Sequence, residues 1–162
     1  MCECNSVGET RSAVDMSVLI LIAAAFGVGK ALEKTGAANV IATVLIEAGA
    51  RLGPVGVLAA IYLATALLTE VISNAAAVAL VFPIALAAAK QFGVDARPFA
   101  IAITAAASSS FASPIGYQTN LMVYGPGGYR FSDFLKIGVP LKLLVFTVAM
   151  ICIPYAWPFQ PA

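Results

Sequence analysis

The sequence predicts an all-α membrane protein, built from transmembrane helices, one re-entrant helical hairpin and one broken helix. Three observations predict it. First, 61% of the 162 residues are hydrophobic and 10% are charged, and the mean hydropathy is +0.95. A soluble domain carries about 25% charged residues, so nine basic and eight acidic side chains cannot cover a globule of this size. Second, the charges are widely spaced. They leave uncharged runs to compare with the ~20 helical residues that cross ~30 Å of hydrocarbon. Third, two long runs are interrupted by small polar residues, Pro and Gly that do not belong in a simple span.

The same composition excludes several functions. Net charge is +1 with no basic run, so nucleic-acid binding has no electrostatic footprint. The chain has no histidine, which removes imidazole zinc sites and Ser-His-Asp chemistry. No nucleophile–base pair or cluster of metal ligands stands out, so an enzyme is not expected and no cofactor is implied. Cys2 and Cys4 form a Cys-Glu-Cys start and Cys152 lies in an apolar stretch; no disulfide framework follows from them.

Residues 1–13 are polar, of mixed sign, and are expected to be disordered. Residues 16–34 read as one transmembrane helix, with Lys30 and Lys34 reaching toward an interface and Gly36 as its C-cap. Residues 37–50 are shorter. Val40, Ile41, Val44 and Leu45 share one face and Asn39, Thr43 and Glu47 another, which predicts an amphipathic helix in the interface. Residues 52–90 read as the hairpin. Arg51 and Lys90 bracket 38 residues whose only charge is Glu70, so two arms meet at Thr69-Glu70-Val71-Ile72-Ser73-Asn74. Pro83 falls inside the second arm, where it predicts a kink. Residues 98–125 read as the broken helix: Phe99 to Ala107 is a good helix with Pro98 in its first turn. Ser108 to Asn120 then mixes small hydroxyls, Pro and Gly, so a continuous helix is not expected through Pro114 and Gly116, and apolar character resumes at Leu121 to Tyr124. Residues 133–157 form the last span, ended by the aromatic pair Tyr155 and Trp157.

Breaking a helix inside a membrane frees carbonyls at one half-end and N–H groups at the other. The carbonyls suit a cation such as Na⁺; the N-termini, with their positive dipole ends, suit an anion. Asn74 is expected to cap the second hairpin arm and Asn120 the second half-helix, and Thr69 adds a hydroxyl one turn before Ser73. Ser108, Ser109 and Ser110 read as serines that bond the preceding turn of their own helix. Glu70 has two readings: an intramembrane functional carboxylate, or a solvated group that orients the motif. Tyr117 and Gln118 read as cavity lining or as core, the adjacent Gly116 favouring lining.

These residues carry a family resemblance. Thr-Glu-Val-Ile-Ser-Asn-Ala-Ala-Ala-Val-Ala-Leu-Val-Phe-Pro-Ile (69–84) resembles the hairpin motif of the divalent anion:sodium symporters, within the citrate-transporter-like ion transporter superfamily. Ser-Pro-Ile-Gly-Tyr-Gln-Thr-Asn-Leu-Met-Val-Tyr-Gly-Pro-Gly-Gly-Tyr (113–129) is similar to that family's second broken helix, most closely in bacterial sulfate-type permeases. The resemblance covers residues 14–157. It implies a fold of two inverted repeats, of which this chain matches the C-terminal one, with the hairpin and broken helix moving in an elevator-like way. It implies Na⁺ held by Thr69, Ser73, Asn74 and Gly116, and substrate faced by Asn74, Ala75, Thr119 and Asn120. The family's usual Ser-Asn-Thr tip here reads Ser-Asn-Ala, and Tyr-Gln-Thr precedes Asn120 where dicarboxylate carriers have Thr-Pro-Pro. Both departures point toward a small inorganic anion.

The expected function is therefore Na⁺-coupled symport of a small divalent anion, sulfate-like or dicarboxylate, with Na⁺ as the coupling ion. Two alternatives are a cation/proton antiporter of the same superfamily with Glu70 as proton carrier, and a non-transporting membrane assembly subunit. The expected partners are the lipid bilayer, the anion, and an N-terminal repeat or second chain that completes the site. A homodimer is expected for the full-length protein, and the expected location is the bacterial inner membrane, crossed several times.

Overall fold

A computed structural model of the chain describes residues 34–49 and 53–159, together with positions 20, 23, 24, 27 and 31. The segment read as polar, 1–13, and most of the helix read at 16–34 lie outside the described residues. Every regular element among the described residues is a helix: α1 Ala37–Gly49, α2 Gly53–Leu68, α3 Asn74–Phe92, α4 Arg97–Ala107, α5 Gln118–Tyr124 and α6 Phe131–Ala156.

Two of these are long and apolar enough to cross a membrane, α3 with 19 residues and α6 with 26. At 1.5 Å per residue they measure about 28 and about 39 Å. Each contains proline. Pro83 lies within α3, and Pro140 and Pro154 lie within α6. The helices α2 and α4, with 16 and 11 residues, are shorter.

The core forms where α2, α3 and α4 meet. On α2, Val57, Leu58, Ile61, Tyr62, Thr65 and Ala66 are buried, a stripe at helical spacing. Opposite them lie Phe99, Ala102, Ile103 and Ala106 of α4 and Val81, Ile84, Ala85 and Ala88 of α3. Alanine predominates where α3 and α4 are packed. In lipid, helices associate mainly through van der Waals contact, and small side chains let their backbones approach closely.

The helix α1 packs on α2 and α3 through Ala42, Leu45 and Ile46. Gly49 is needed at this joint: a Cβ there would lie 2.6 Å from the backbone of Gly56 and Val57. Val40, Ile41 and Val44 are exposed. The helix α3 ends at Gly93, whose φ of 63° is left-handed and whose N–H returns to the Ala89 and Lys90 carbonyls.

The helix α6 lies on α4 and α2 along one narrow stripe of Gly138, Ala149 and Ile153. Phe146 meets Tyr62 edge-on, with ring centroids 5.3 Å apart. The rest of α6 exposes Ile137, Leu143, Leu144, Val148, Ile151 and Tyr155. An apolar surface so nearly continuous around a long helix is one that hydrocarbon or another helix covers.

Candidate functional site

Helical hydrogen bonding stops twice in the core, at 69–73 between α2 and α3 and at 108–117 between α4 and α5. The first interruption is tight. Glu70 N–H turns to the Leu67 carbonyl, and Val71 and Ile72 N–H both turn to the Leu68 carbonyl. Ser73 then takes an extended conformation, and its Oγ accepts from Ala76 N–H at 3.3 Å. The N-cap is thus Ser73 and not Asn74, as the sequence had suggested; the extended residue is the one whose oxygen faces the free N–H groups.

Asn74 is left to do something else. Thr69 Oγ1 lies 2.7 Å from Asn74 Oδ1 and 2.9 Å from the Ala107 carbonyl at the end of α4. One hydroxyl proton cannot fully serve two acceptors. Turning over the Asn74 amide lets its Nδ2 donate to Thr69 while Thr69 donates to Ala107, and both contacts are then satisfied. Thr69 is fully buried.

The second interruption is held by side chains. Ser113 Oγ accepts from Ile115 N–H at 3.0 Å and Gly116 N–H at 3.3 Å. Asn120 Nδ2 donates to the Ser110 and Ser113 carbonyls, each at 3.1 Å. Asn120 is therefore not the cap of α5, a position Tyr117 holds; it ties α5 back onto the non-helical run. Ser110 Oγ crosses to the first interruption and donates to the Thr69 carbonyl at 3.0 Å. Gly116 sits at the same crossing: a Cβ there would lie 2.1 Å from Ser110 Oγ and 2.6 Å from the Thr69 carbonyl. Only glycine lets the two interruptions approach this closely.

Thr69, Asn74 and Gly116 are thus brought together, with Asn120 joined to them through Ser110. Ser73 is exposed and engaged as a cap. Ala75 and Thr119 are exposed, and Thr119 makes no side-chain hydrogen bond among the described residues. Tyr117 is also exposed, about half of it.

Two contributors were not read from the sequence. Ser108 and Ser109 do bond their own helix, at the Thr104 and Ala106 carbonyls, but Ser110 does not. No sequence signal separates it from its neighbours. The other is Lys142 of α6, which makes an ion pair with Glu70. Its signal was available: a carboxylate that is the only charge among 38 residues requires a partner, and Lys142 is the one charge after Lys136.

Residues 1–106 match the family model described as Citrate transporter. The chain belongs to the citrate transporter family. The family match ends before the second interruption, but individual relatives continue through it. An uncharacterized transporter of Synechocystis is 44% identical over 158 residues, 98% of this chain and 26% of its own length. A putative sulfur deprivation response regulator of Chlamydomonas reinhardtii is 46% identical over 157 residues, 96% of this chain and 26% of its own. Sodium/sulfate cotransporter 1 of the same alga is 41% identical over 153 residues, 94% and 17%. The chain spans about a quarter or less of the length of these relatives. The family model and these relatives' names describe transporters, and two helices among the described residues are long and apolar enough to cross a membrane, as an integral membrane protein of this family requires.

Proposed function

We propose that this chain forms part of a secondary active transporter in which Na⁺ entry drives uptake of a small divalent anion, with sulfate favoured over dicarboxylates. The observation that carries the reading is the crossing of two helix interruptions at Thr69, Asn74 and Gly116. There, the Thr69 hydroxyl meets the Asn74 amide and the Ala107 carbonyl, and the Ser110 hydroxyl and Thr69 carbonyl close on Gly116, with the nearby Glu70 carboxylate paired to Lys142. Neutral oxygens of this kind suit a monovalent cation that must be both bound and released. Ser73 would join them through its own carbonyl or hydroxyl. Asn74, Ala75, Thr119 and Asn120 would face the anion, near the N-terminus of α3 with its positive dipole end. In this reading the α2–α3 pair is a re-entrant hairpin, and α4 and α5 are halves of one broken membrane helix. A second hairpin and broken helix, on the same polypeptide or another, complete the pocket, and the whole protein is a multi-pass homodimer of a bacterial inner membrane.

The names of the algal sodium/sulfate cotransporters, and the alanine at position 75, support sulfate over dicarboxylates. The Lys142 partner of Glu70 counts against a proton-carrying role for that carboxylate, since a carrier must be free to exchange its proton.

Uptake of radiolabelled sulfate and succinate by liposomes holding the complete transporter, with and without Na⁺, tests the reading. Na⁺-dependent sulfate uptake is expected. Asn74→Ala is expected to abolish it, and wild-type rates in that variant would remove the site assignment.

A further inference from the structure

The ion pair between Glu70 and Lys142 joins residues 72 apart in sequence, and both side chains are largely buried, at 14% and 15% exposure. Lys142 also donates to the Ala66 carbonyl. That carbonyl needs a donor. In a continued helix Glu70 N–H would supply it, but Glu70 N–H turns instead to Leu67. Lys142 therefore closes the C-terminal end of α2 from another helix, where a cation also suits the negative end of the dipole. The Glu70 carboxylate in turn receives Ala112 N–H, at 3.4 Å, from the second interruption. One turn earlier on α6, Gly138 meets that same segment: a Cβ on it would lie 2.1 Å from the Phe111 carbonyl and 2.7 Å from Ala112 Cα. Positions 138 and 142 share a helix face. A single turn of α6 thus touches both interruptions.

We infer that Lys142 is a positioning residue for the Na⁺ site proposed above. It fixes the 69–73 turn against residues 108–117 by holding Glu70 and the Ala66 carbonyl together. It also cancels the Glu70 charge beside Thr69, so that the cation is held by neutral oxygens alone. A buried ion pair adds little to stability compared with apolar residues of the same size, but removing one partner is costly because the other charge is left unpaired. The predicted pattern is therefore one of compensation. Each single change is damaging, and the double change recovers much of the loss.

The inference rests on the Na⁺-coupled reading, and the experiment separates the two. Lys142→Met, Glu70→Gln and the double variant are compared with wild type in liposomes holding the complete transporter. Lys142→Met is expected to raise the Na⁺ concentration for half-maximal uptake about tenfold or more, while half-saturation by the anion at saturating Na⁺ stays within about twofold. The double variant is expected to return most of the way to the wild-type Na⁺ requirement. A fall in maximal rate with both half-saturation values unchanged, or a double variant as impaired as the sum of the single ones, would overturn the assignment. The double variant, which buries no lone charge, keeps the test open if Lys142→Met fails to fold. Wild-type uptake indifferent to Na⁺ would defeat the functional reading instead. In that case the clamp is judged from thermal unfolding of the four proteins in detergent, where additive effects of the two changes would refute it.

Discussion

The two helix interruptions solve one problem in different ways. The first, at 69–73, is short and largely held by its own backbone: successive N–H groups turn back by three or four residues, and Ser73 opens the next helix. The second, at 108–117, spans ten residues and is held mostly by side chains, through Ser113 and Asn120. The first is anchored from outside by charge, through Glu70 and Lys142; the second by the absence of side chains, at Gly116 and opposite Gly138. A short turn tolerates the loss of a side-chain bond because its backbone remains paired. A long one does not, because its side chains stand in for the missing helix.

This contrast orders the effects of substitution. Beyond Asn74→Ala, Gly116→Ala is expected to be the most severe, since its added carbon meets a backbone carbonyl that cannot step aside. Overpacking of this kind costs about 1–3 kcal/mol, and displacement of the site should lower Na⁺-dependent uptake by about a hundredfold. Unchanged uptake in liposomes would show that the interruptions need not touch. Asn120→Ala comes next. It leaves the Ser110 and Ser113 carbonyls without their donor, at a cost of about 2 kcal/mol, which is checked by thermal unfolding in detergent. The smallest effect is expected from Ser73→Ala, which removes one cap at about 1 kcal/mol. Ser73→Asn keeps a capping oxygen and should restore that stability. If uptake nevertheless stays low in Ser73→Asn, the hydroxyl itself serves the cation, and the difference between the two interruptions narrows.

Much of this architecture can be read from residue types. Sparse charge and abundant Ala, Val, Leu and Ile leave helices as the structure that satisfies its own backbone in lipid. Pro114, Gly116 and the serines mark where a helix gives way, because each removes a donor, a side chain or a reason to stay helical. Which polar side chain meets which is less legible. Asn74 and Asn120 looked like caps by position. Each instead lies just inside the helix, where the preceding residue, or one three before it, is already extended. Ser108 and Ser109 still reach carbonyls of α4, whereas the Ser110 hydroxyl, one residue further on, turns to the Thr69 carbonyl in the first interruption. Lys142 lies 72 residues from its partner, and only the packing of α6 brings them together.

The buried alanines of α3 and α4 carry an entropic consequence. Ala77, Ala85, Ala88, Ala102 and Ala106 have no rotamers to freeze, so burying them costs almost no side-chain entropy. Larger side chains, Val81 and Ile84 of α3 and Phe99 and Ile103 of α4, are buried beside them. Alanine lets the two backbones come close at small entropic cost, while the few larger side chains hold the helices in register.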